Sequence, residues 1–115
     1  MKLPNVENAE IPESKITKYL LSTTHRAGKS KASFFMQFGF NVDRWEALAL
    51  ALKQPALENE VALEEKTIFG TRYIINGRLK APDGKWLNIR AAWYIDTDGD
   101  VPRFITAHPL RRRRS

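Results

Sequence analysis

Residues 67–95 read TIFGTRYIINGRLKAPDGKWLNIRAAWYI, which is two alternating segments around a short turn. The turn, Pro82-Asp83-Gly84, is typical of a β-hairpin because Pro presets φ and Gly accepts a positive φ. The segment after it, residues 85–95, alternates with a period of two and predicts a strand that pairs with residues 67–80. One face of this strand is apolar and indicates a core: Leu87, Ile89, Ala91, Trp93 and Ile95.

Two shorter segments extend the predicted sheet. Residues 61–66 form a candidate strand before the hairpin, and residues 102–108 form another after the turn-forming stretch 96–100. We therefore expect a meander of three or four antiparallel strands. Gly70 and Gly77, inside the long first strand of the hairpin, predict β-bulges or a close approach of another backbone.

Three helical patterns precede the sheet. They lie at about residues 12–22, from Ser30 to Phe38, and from Asn41 or Asp43 to Pro55. In the first, Ile16, Tyr19 and Leu20 lie on one face at i, i+3 and i+4, and in the third the buried stripe is Trp45, Leu48, Ala49 and Leu52. The boundaries carry capping residues or a proline. Gly39 is the expected stop of the second helix.

This order of elements predicts an α+β fold, with two or three N-terminal helices packed on a three- to four-stranded antiparallel sheet. We expect residues 1–110 to form a single α+β domain and residues 111–115 a flexible basic tail. The apolar stripe of the third helix and the apolar face of the strand at residues 85–95 can each be buried only by packing on the other. One core should therefore include Trp45, Leu48, Leu52, Leu87, Ile89 and Trp93.

The composition, 43% hydrophobic and 28% charged over 115 residues, is typical of a globular protein. Cys is absent, which excludes disulfides and a Cys nucleophile and favours a cytoplasmic protein. Apolar runs are short, so we expect no membrane association. Four of the six net positive charges come from residues 111–114, which predicts either a solubilising end or an arm that binds phosphates.

The sequence does not predict a metal or a cofactor. Asp96, Asp98 and Asp100 have the spacing of a calcium loop, but Val101 replaces its glycine and Ala107 its final Glu. The sequence also lacks a phosphate-cradling glycine loop, a Gly-x-Ser-x-Gly motif and a His-Glu-x-x-His motif. A tight turn explains the aspartates.

His25 and Lys31 form the first candidate site. His25 lies in the polar loop between the first two helices, and Lys31 lies in the first turn of the second helix. A helix N-terminus beside His and Lys is suited to binding a phosphate. The alternative is that His25 is a surface or capping residue.

Arg90 forms the second candidate site, on the strand face opposite the apolar one. It lies between Trp86 and Tyr94, so it either stacks on them for packing or faces a substrate. If the turn after the strand is odd in length, Thr106 and His108, with Phe104, share its face. An even turn would instead bring Arg103, Ile105 and Ala107 beside Arg90.

Short motifs distributed over about residues 1–110 resemble a family of small bacterial proteins. Members of that family stand alone beside a small encoded partner or end large secreted proteins, a layout typical of toxin modules. Their helices-then-sheet order is similar to the barnase, EndoU, colicin and RelE-like ribonuclease toxin superfamily. The motifs are Lys15-Ile16, Tyr19-Leu20-Leu21, His25-x-x-Gly28-x-x-Lys31-Ala32-x-Phe34-Phe35, Gly39-Phe40, Trp45, Gly70-x-x-Tyr73, Pro82-Asp83-Gly84, Ala92-Trp93-Tyr94-Ile95 and Pro102-Arg103-Phe104-Ile105-Thr106-Ala107-His108-Pro109.

The resemblance implies RNA cleavage without a metal, in which the 2′-OH attacks its own phosphate with the help of an acid, a base and cations. We expect His25 as general acid or base, Lys31 and Arg90 as cations that stabilise the phosphorane, and Thr106 as a phosphate-orienting group. His108 is the alternative acid or base, although the family usually has Tyr at this position.

The favoured hypothesis is a metal-independent endoribonuclease toxin that acts on RNA and is held inactive by a small cognate antitoxin or immunity protein. The first alternative is a non-catalytic interaction module, either the neutralising partner itself or a nucleic-acid binder. The second alternative is a small-molecule-binding domain that uses the face of Trp86, Arg90 and Tyr94.

Overall fold

A four-stranded antiparallel sheet follows the N-terminal helices in a computed structural model that describes residues 1–26 and 28–110. The strands follow one another in sequence order across the sheet, so the predicted meander is confirmed with four strands. They are β1 (Leu63–Lys66), β2 (Gly70–Lys80), β3 (Trp86–Asp96) and β4 (Arg103–Pro109).

Three helices precede the sheet, which confirms the predicted α+β order. They are α1 (Glu13–Lys15), α2 (Lys29–Gln37) and α3 (Trp45–Glu58), with short 3₁₀ turns at Val6–Asn8 and Val42–Arg44. α1 runs directly into a π-helical segment, Ile16–Leu20, which closes with a hydrogen bond from the Leu21 N–H to the Ile16 carbonyl at 2.8 Å. The N-cap of the 3₁₀ turn before α3 is Asn41, whose side chain accepts from the Arg44 N–H.

Pro55 does not end α3, so that expectation was wrong. The helix continues to Glu58, because a proline in the last turn removes only one hydrogen bond and leaves the earlier turns intact. The Pro55 carbonyl also accepts from both the backbone and the side-chain amide of Asn59, at 3.0 and 2.9 Å. Gly77 of β2 lies against the side chains of these two residues, where a Cβ atom would overlap them. The close approach at this glycine is therefore made by side chains and not by the expected backbone or bulge.

The hairpin turn has the predicted geometry. Pro82, Asp83 and Gly84 form a three-residue loop closed by the pair Ala81 and Lys85, whose N–H···O=C distance is 2.8 Å. Gly84 has a φ of 90°, a conformation that residues with a Cβ rarely adopt. This turn fixes the β2–β3 register, which continues without a bulge from Lys80 opposite Trp86 to Gly70 opposite Asp96.

The apolar face of β3 packs on the helices and forms the core. Five of the six predicted core residues lie in one buried cluster, and Trp45 is partly buried and packs against it, so the predicted core is confirmed. Trp93 is fully buried, and its ring meets that of Phe104 edge to face at 5.4 Å between centroids. The side chains of β3 on the other face, including Arg90, point away from this core.

The pairing of β3 with β4 combines both of the registers weighed from the sequence. Six residues separate the two strands, and this even number places Arg103 opposite Tyr94 and Phe104 opposite Trp93 in the core. A bulge then shifts the pairing by one residue, so that Thr106 lies opposite Ala92 and His108 opposite Arg90. Thr106 and His108 therefore share the face of Arg90 as expected, whereas the placement of Phe104 on that face was wrong.

Two remaining expectations are the absence of a membrane-spanning segment and the flexible C-terminal tail. In the described part of the chain, no helix combines the length and apolarity needed to cross a bilayer. The predicted flexible basic tail at 111–115 lies outside the described residues.

Candidate active site

Tyr19 is the centre of a cluster that joins the N-terminal helices to β4. Its hydroxyl is hydrogen-bonded to that of Thr106 at 2.9 Å. The imidazole of His25 meets its ring edge to face at 5.0 Å, and the ammonium of Lys31 lies 5.6 Å from the ring centroid. Three of the predicted site residues, from three separate segments, are thereby gathered around one aromatic side chain.

Lys15 supports this cluster from α1. Its ammonium lies 5.5 Å from the Tyr19 ring centroid and donates to the carbonyl oxygen of Ile105, the bulge residue of β4, at 3.2 Å. The bulge leaves this carbonyl turned away from regular strand pairing, where a cation can reach it. Lys15 therefore ties the segment that carries Tyr19 to the point at which β4 changes register.

Gly28 brings the His25 loop onto Tyr19. It is buried, and a Cβ atom at position 28 would overlap the carbonyl oxygen of Tyr19. Its N–H also donates to Nδ1 of His25 at 3.1 Å. Only glycine permits this approach, so the His25 loop depends on the residue three positions further along the chain.

The hydrogen bonds of His25 assign its neutral tautomer. Because Nδ1 accepts from an N–H, the ring proton of the neutral form resides on Nε2. The carbonyl of His25 accepts from the N–H groups of Gly28 and Lys29 at 3.1 and 2.9 Å. The N–H groups of Gly28 and Lys29, at the start of α2, are thus engaged within the His25 loop.

Arg90 and His108 lie in one cross-strand row on the exposed face of the sheet. Arg90 is opposite both His108 of β4 and Asn76 of β2, and its Nε donates to Oδ1 of Asn76 at 2.8 Å. The cations over the neighbouring aromatic rings are different residues: Arg78 over Trp86, and Arg103 over Tyr94. The expected alternative, in which Arg90 stacks on these rings for packing, is therefore wrong.

His108 has the complementary hydrogen-bonding pattern to His25. Its Nδ1 lies 3.2 Å from the carbonyl oxygen of Pro109. A carbonyl only accepts, so Nδ1 donates, and Nε2 of the neutral ring is left as the proton acceptor. One histidine thus presents a proton at Nε2 and the other presents a lone pair.

Three depressions with shared lining residues extend from this face of the sheet to the edge of β4 beside α2, and we call them together the groove. The arginine depression, of about 270 Å³, is lined by Ala62, Leu63, Glu65, Arg72, Ile74, Arg90 and His108. The central depression, of about 270 Å³, is lined by Ser30, Lys31, Phe34, His108 and Pro109. The tryptophan depression, of about 260 Å³, is lined by Phe34, Trp86, Leu87, Asn88, Pro109 and Leu110. Shared residues connect them: His108 joins the first two, and Phe34 with Pro109 joins the last two.

A fourth depression, of about 240 Å³, lies against α3 near Trp45 and Leu50. Its charged lining residues are Glu46 and Lys53, and it contains no His, Arg or hydroxyl group. It offers an apolar surface with one carboxylate and one ammonium, and it contains none of the predicted site residues. We therefore place the candidate active site in the groove.

The residues that line the groove carry a net positive charge. Its charged lining residues are Lys31, Arg72 and Arg90 against Glu65, and Glu65 is paired with Arg72 at 3.2 Å. Within the described residues, no group of three or more His, Asp or Glu side chains is arranged to hold a metal ion. The arrangement suits a ligand with negative charge, and its potential acids and bases are the two imidazoles and the hydroxyls of Tyr19 and Thr106.

All five predicted site residues border the groove or the cluster beside it. Thr106 and His108 are two positions apart on one face of β4, roughly 6–7 Å along the strand, which links the Tyr19 cluster to the groove. Sequence reasoning missed Tyr19, which it treated as part of an apolar helix stripe, and Asn76. Tyr19 could have been noticed because it places a hydroxyl in an otherwise aliphatic stripe, six positions before His25.

Comparison with known protein families identifies the family of the chain. The sequence pattern of the family described as "Domain of unknown function (DUF6883)" matches residues 2–111, nearly the whole chain. The chain belongs to this family. The DUF6883 match covers almost the same span as the resemblance found from the short motifs. No curated protein matches this DUF6883 chain.

A solved structure shares the fold of this DUF6883 chain. It is a chain of the "Contact-dependent growth inhibition toxin - immunity protein complex from Klebsiella pneumoniae 342". The two are similar with a TM-score of 0.68 over 87% of this chain and 98% of that chain, at 19% sequence identity. At this level of identity the likeness extends to the α+β fold.

Proposed function

We propose that this DUF6883 protein is the toxin of a toxin–antitoxin or toxin–immunity pair and acts in the cytoplasm as a metal-independent endoribonuclease. The observation that carries the proposal is the convergence of His25, Lys31, Arg90, Thr106 and His108 from distant parts of the sequence on one groove and the Tyr19 cluster beside it. Packing of the core requires none of these side chains.

In the proposed reaction, Nε2 of His108 accepts the proton of an RNA 2′-OH as its oxygen attacks the adjacent phosphorus. The bond from phosphorus to the 5′ oxygen breaks, and Nε2 of His25, in the protonated imidazolium form of the ring, donates a proton to that oxygen. The products are a 2′,3′-cyclic phosphate and a 5′-hydroxyl, so protons and electrons balance within the substrate and the two imidazoles. The bond of Nδ1 of His108 to the Pro109 carbonyl leaves Nε2 of its neutral ring as the base. His25 carries its proton on Nε2 in the neutral form and becomes the acid when Nδ1 takes up a second proton, which displaces the Gly28 N–H from Nδ1.

The cations and hydroxyls support the phosphorane. Lys31 and Arg90 supply positive charge where negative charge develops, and Thr106 orients a phosphate oxygen. Tyr19 holds the Thr106 hydroxyl at 2.9 Å and so acts as a positioning residue. The hydrogen bond from Nε of Arg90 to Asn76 orients the guanidinium. Its two terminal nitrogens can then bind the phosphate.

A cognate protein partner follows from the same proposal. A cytoplasmic ribonuclease would destroy the RNA of the cell that makes it, so a neutralising protein has to accompany it. The fold is shared with a chain of a toxin–immunity protein complex, which supports this inference. An acidic partner that fills the groove would meet Lys31, Arg72 and Arg90.

The test is cleavage of RNA by the purified full-length protein in EDTA. We expect a single-stranded RNA to be cut with formation of a 2′,3′-cyclic phosphate, and a DNA of the same sequence to remain intact because it has no 2′-OH. His25→Asn keeps an acceptor for the Gly28 N–H but cannot transfer a proton. It should abolish cleavage and growth inhibition at an unchanged melting temperature.

Two outcomes contradict the proposal. One is a wild-type protein that neither inhibits growth on expression nor cuts any RNA. The other is a His25→Asn variant that cleaves as fast as the wild type, since the groove would then not be the catalytic site.

A second candidate function is the non-catalytic interaction module. It is favoured by the tip of the β1–β2 hairpin, where the side chains of Ile68 and Phe69 are 85% and 73% exposed. Adjacent large apolar side chains at such exposure are typical of a surface that binds another protein. A wild-type chain inactive on RNA that neutralises a separately encoded toxin, and loses this effect on Phe69→Ser, would establish this function instead.

A further inference from the structure

Trp86 is a large aromatic side chain that the core does not use. It begins β3 on the same face as Arg90, and 54% of its side chain is exposed, while its neighbour Leu87 turns into the core. An indole left in water at this exposure gains little from burial, so packing alone does not explain it.

Two cations flank the Trp86 indole. The guanidinium of Arg78 lies 5.0 Å from its ring centroid, and the ammonium of Lys80 lies 6.0 Å away. Between Gly77 and Ile95 the sequence has four basic residues and one acidic residue, Asp83, whose carboxylate accepts the Lys85 N–H. This end of the sheet therefore combines an exposed aromatic surface with positive charge.

The position of Trp86 relates it to the proposed cleavage site. The tryptophan depression joins the central depression through Phe34 and Pro109. Trp86 is four positions before Arg90 along the same face, about 13 Å at the usual rise of a strand. A chain that passes the groove would reach the indole within a short distance of the reacting phosphate.

We propose that Trp86 is a base-stacking subsite for single-stranded RNA, with Arg78 and Lys80 pairing with the phosphates beside the stacked base. Proteins that bind single strands combine aromatic platforms with a cationic track, and both are present here. The inference rests on the proposed function for the location of the cleaved phosphate. A base inside a duplex has no exposed ring face, so this subsite selects unpaired RNA.

The test uses a 2′-O-methyl RNA ten-mer, which cannot be cleaved because its 2′-OH groups are blocked. Trp86→Leu keeps an apolar side chain without an aromatic face and should weaken binding of this probe roughly 5- to 150-fold. Trp86→Phe should retain most of the affinity. Phe69→Leu, which removes another exposed aromatic side chain at the opposite end of the β2–β3 pair from Trp86, should leave the affinity unchanged.

The outcomes separate this inference from the proposed function. Equal affinity of Trp86→Leu and the wild type for the ten-mer overturns the stacking subsite, as does equal loss of affinity for a duplex of the same sequence. The inference is also overturned if Trp86→Leu weakens the binding of a protein partner but not that of the ten-mer. If the ten-mer binds through Trp86 but the wild type cleaves no RNA, the subsite stands and the ribonuclease proposal fails.

Discussion

The two faces of β3 use the same backbone for different purposes. On one face Leu87, Ile89, Ala91 and Trp93 are all buried, and each meets apolar atoms of the helices or of β4. On the other face Trp86, Asn88 and Arg90 are exposed, and Arg90 is oriented by Asn76. Burial accounts for every side chain of the first face. It accounts for few of the second, where the exposed cationic and aromatic groups are the basis of the proposed RNA site.

The largest expected effect tests the buried face. Trp93→Ala removes a fully buried indole that packs on Phe104, and should lower the free energy of unfolding by about 3–5 kcal/mol. Denaturation by urea, monitored by circular dichroism, measures this change. Trp93→Phe is the matched control.

That control is informative because Nε1 of Trp93 has no hydrogen-bond partner within the described residues. Phe keeps most of the ring contacts and removes this unsatisfied donor, so it should cost much less than Ala. A similar loss for both variants would mean that Trp93 is held by its indole nitrogen and not by packing.

The next effect tests the exposed face. Arg90→Ala should lower the rate of RNA cleavage by roughly 10²- to 10³-fold, because one preorganised cation is lost from the transition state. The melting temperature should not change, since the side chain is exposed. Arg44→Ala, an exposed arginine before α3, should alter neither quantity. If Arg90→Ala instead lowers the melting temperature and leaves the rate intact, the two faces of β3 serve the same structural purpose.

The last prediction concerns residues 111–114, whose deletion should change RNA binding but not the catalytic step. Leu110, which precedes these four arginines in the sequence, lines the tryptophan depression. Deletion of residues 111–114 should weaken RNA binding and make its dependence on salt shallower by up to about 3 in the logarithmic slope, because up to about four phosphate contacts with a single strand are lost. The cleavage rate at saturating RNA should stay the same. An unchanged slope would show that the arginines only add solubility.

The sequence predicts those parts of the fold that depend on local chemistry. The Pro82-Asp83-Gly84 turn and the period-two segments beside it fix the hairpin, and Gly39 marks the end of α2 at a φ of 105°. Pro55 misled because the cost of a proline depends on its place in a helix and on its surroundings. Its burial against Gly77 is a tertiary contact that no local pattern encodes.

The candidate site was less predictable, because it depends on contacts between distant segments. His25 and Lys31 stand out as polar groups at a loop and a helix start, whereas Tyr19 at helical spacing looks like core. Its contact with Thr106 links residues 87 positions apart. The register of β4 was left open by the sequence for a related reason, since the bulge at Ile105 has no residue signature of its own.

That bulge makes the core and the groove separately adjustable. The parity of the loop 97–102 alone determines that Phe104 faces Trp93, whereas the positions of Thr106 and His108 depend on the loop and the bulge together. A replacement loop of even length would preserve both arrangements. If Ile105 paired regularly with Ala92, Phe104 would stay in the core while Thr106 and His108 turned inward, so it is the bulge that assigns these two side chains to the groove. Deletion of Ile105 removes the extra residue and keeps Thr106 opposite Ala92, so both the core and the groove's chemistry should survive this shortening.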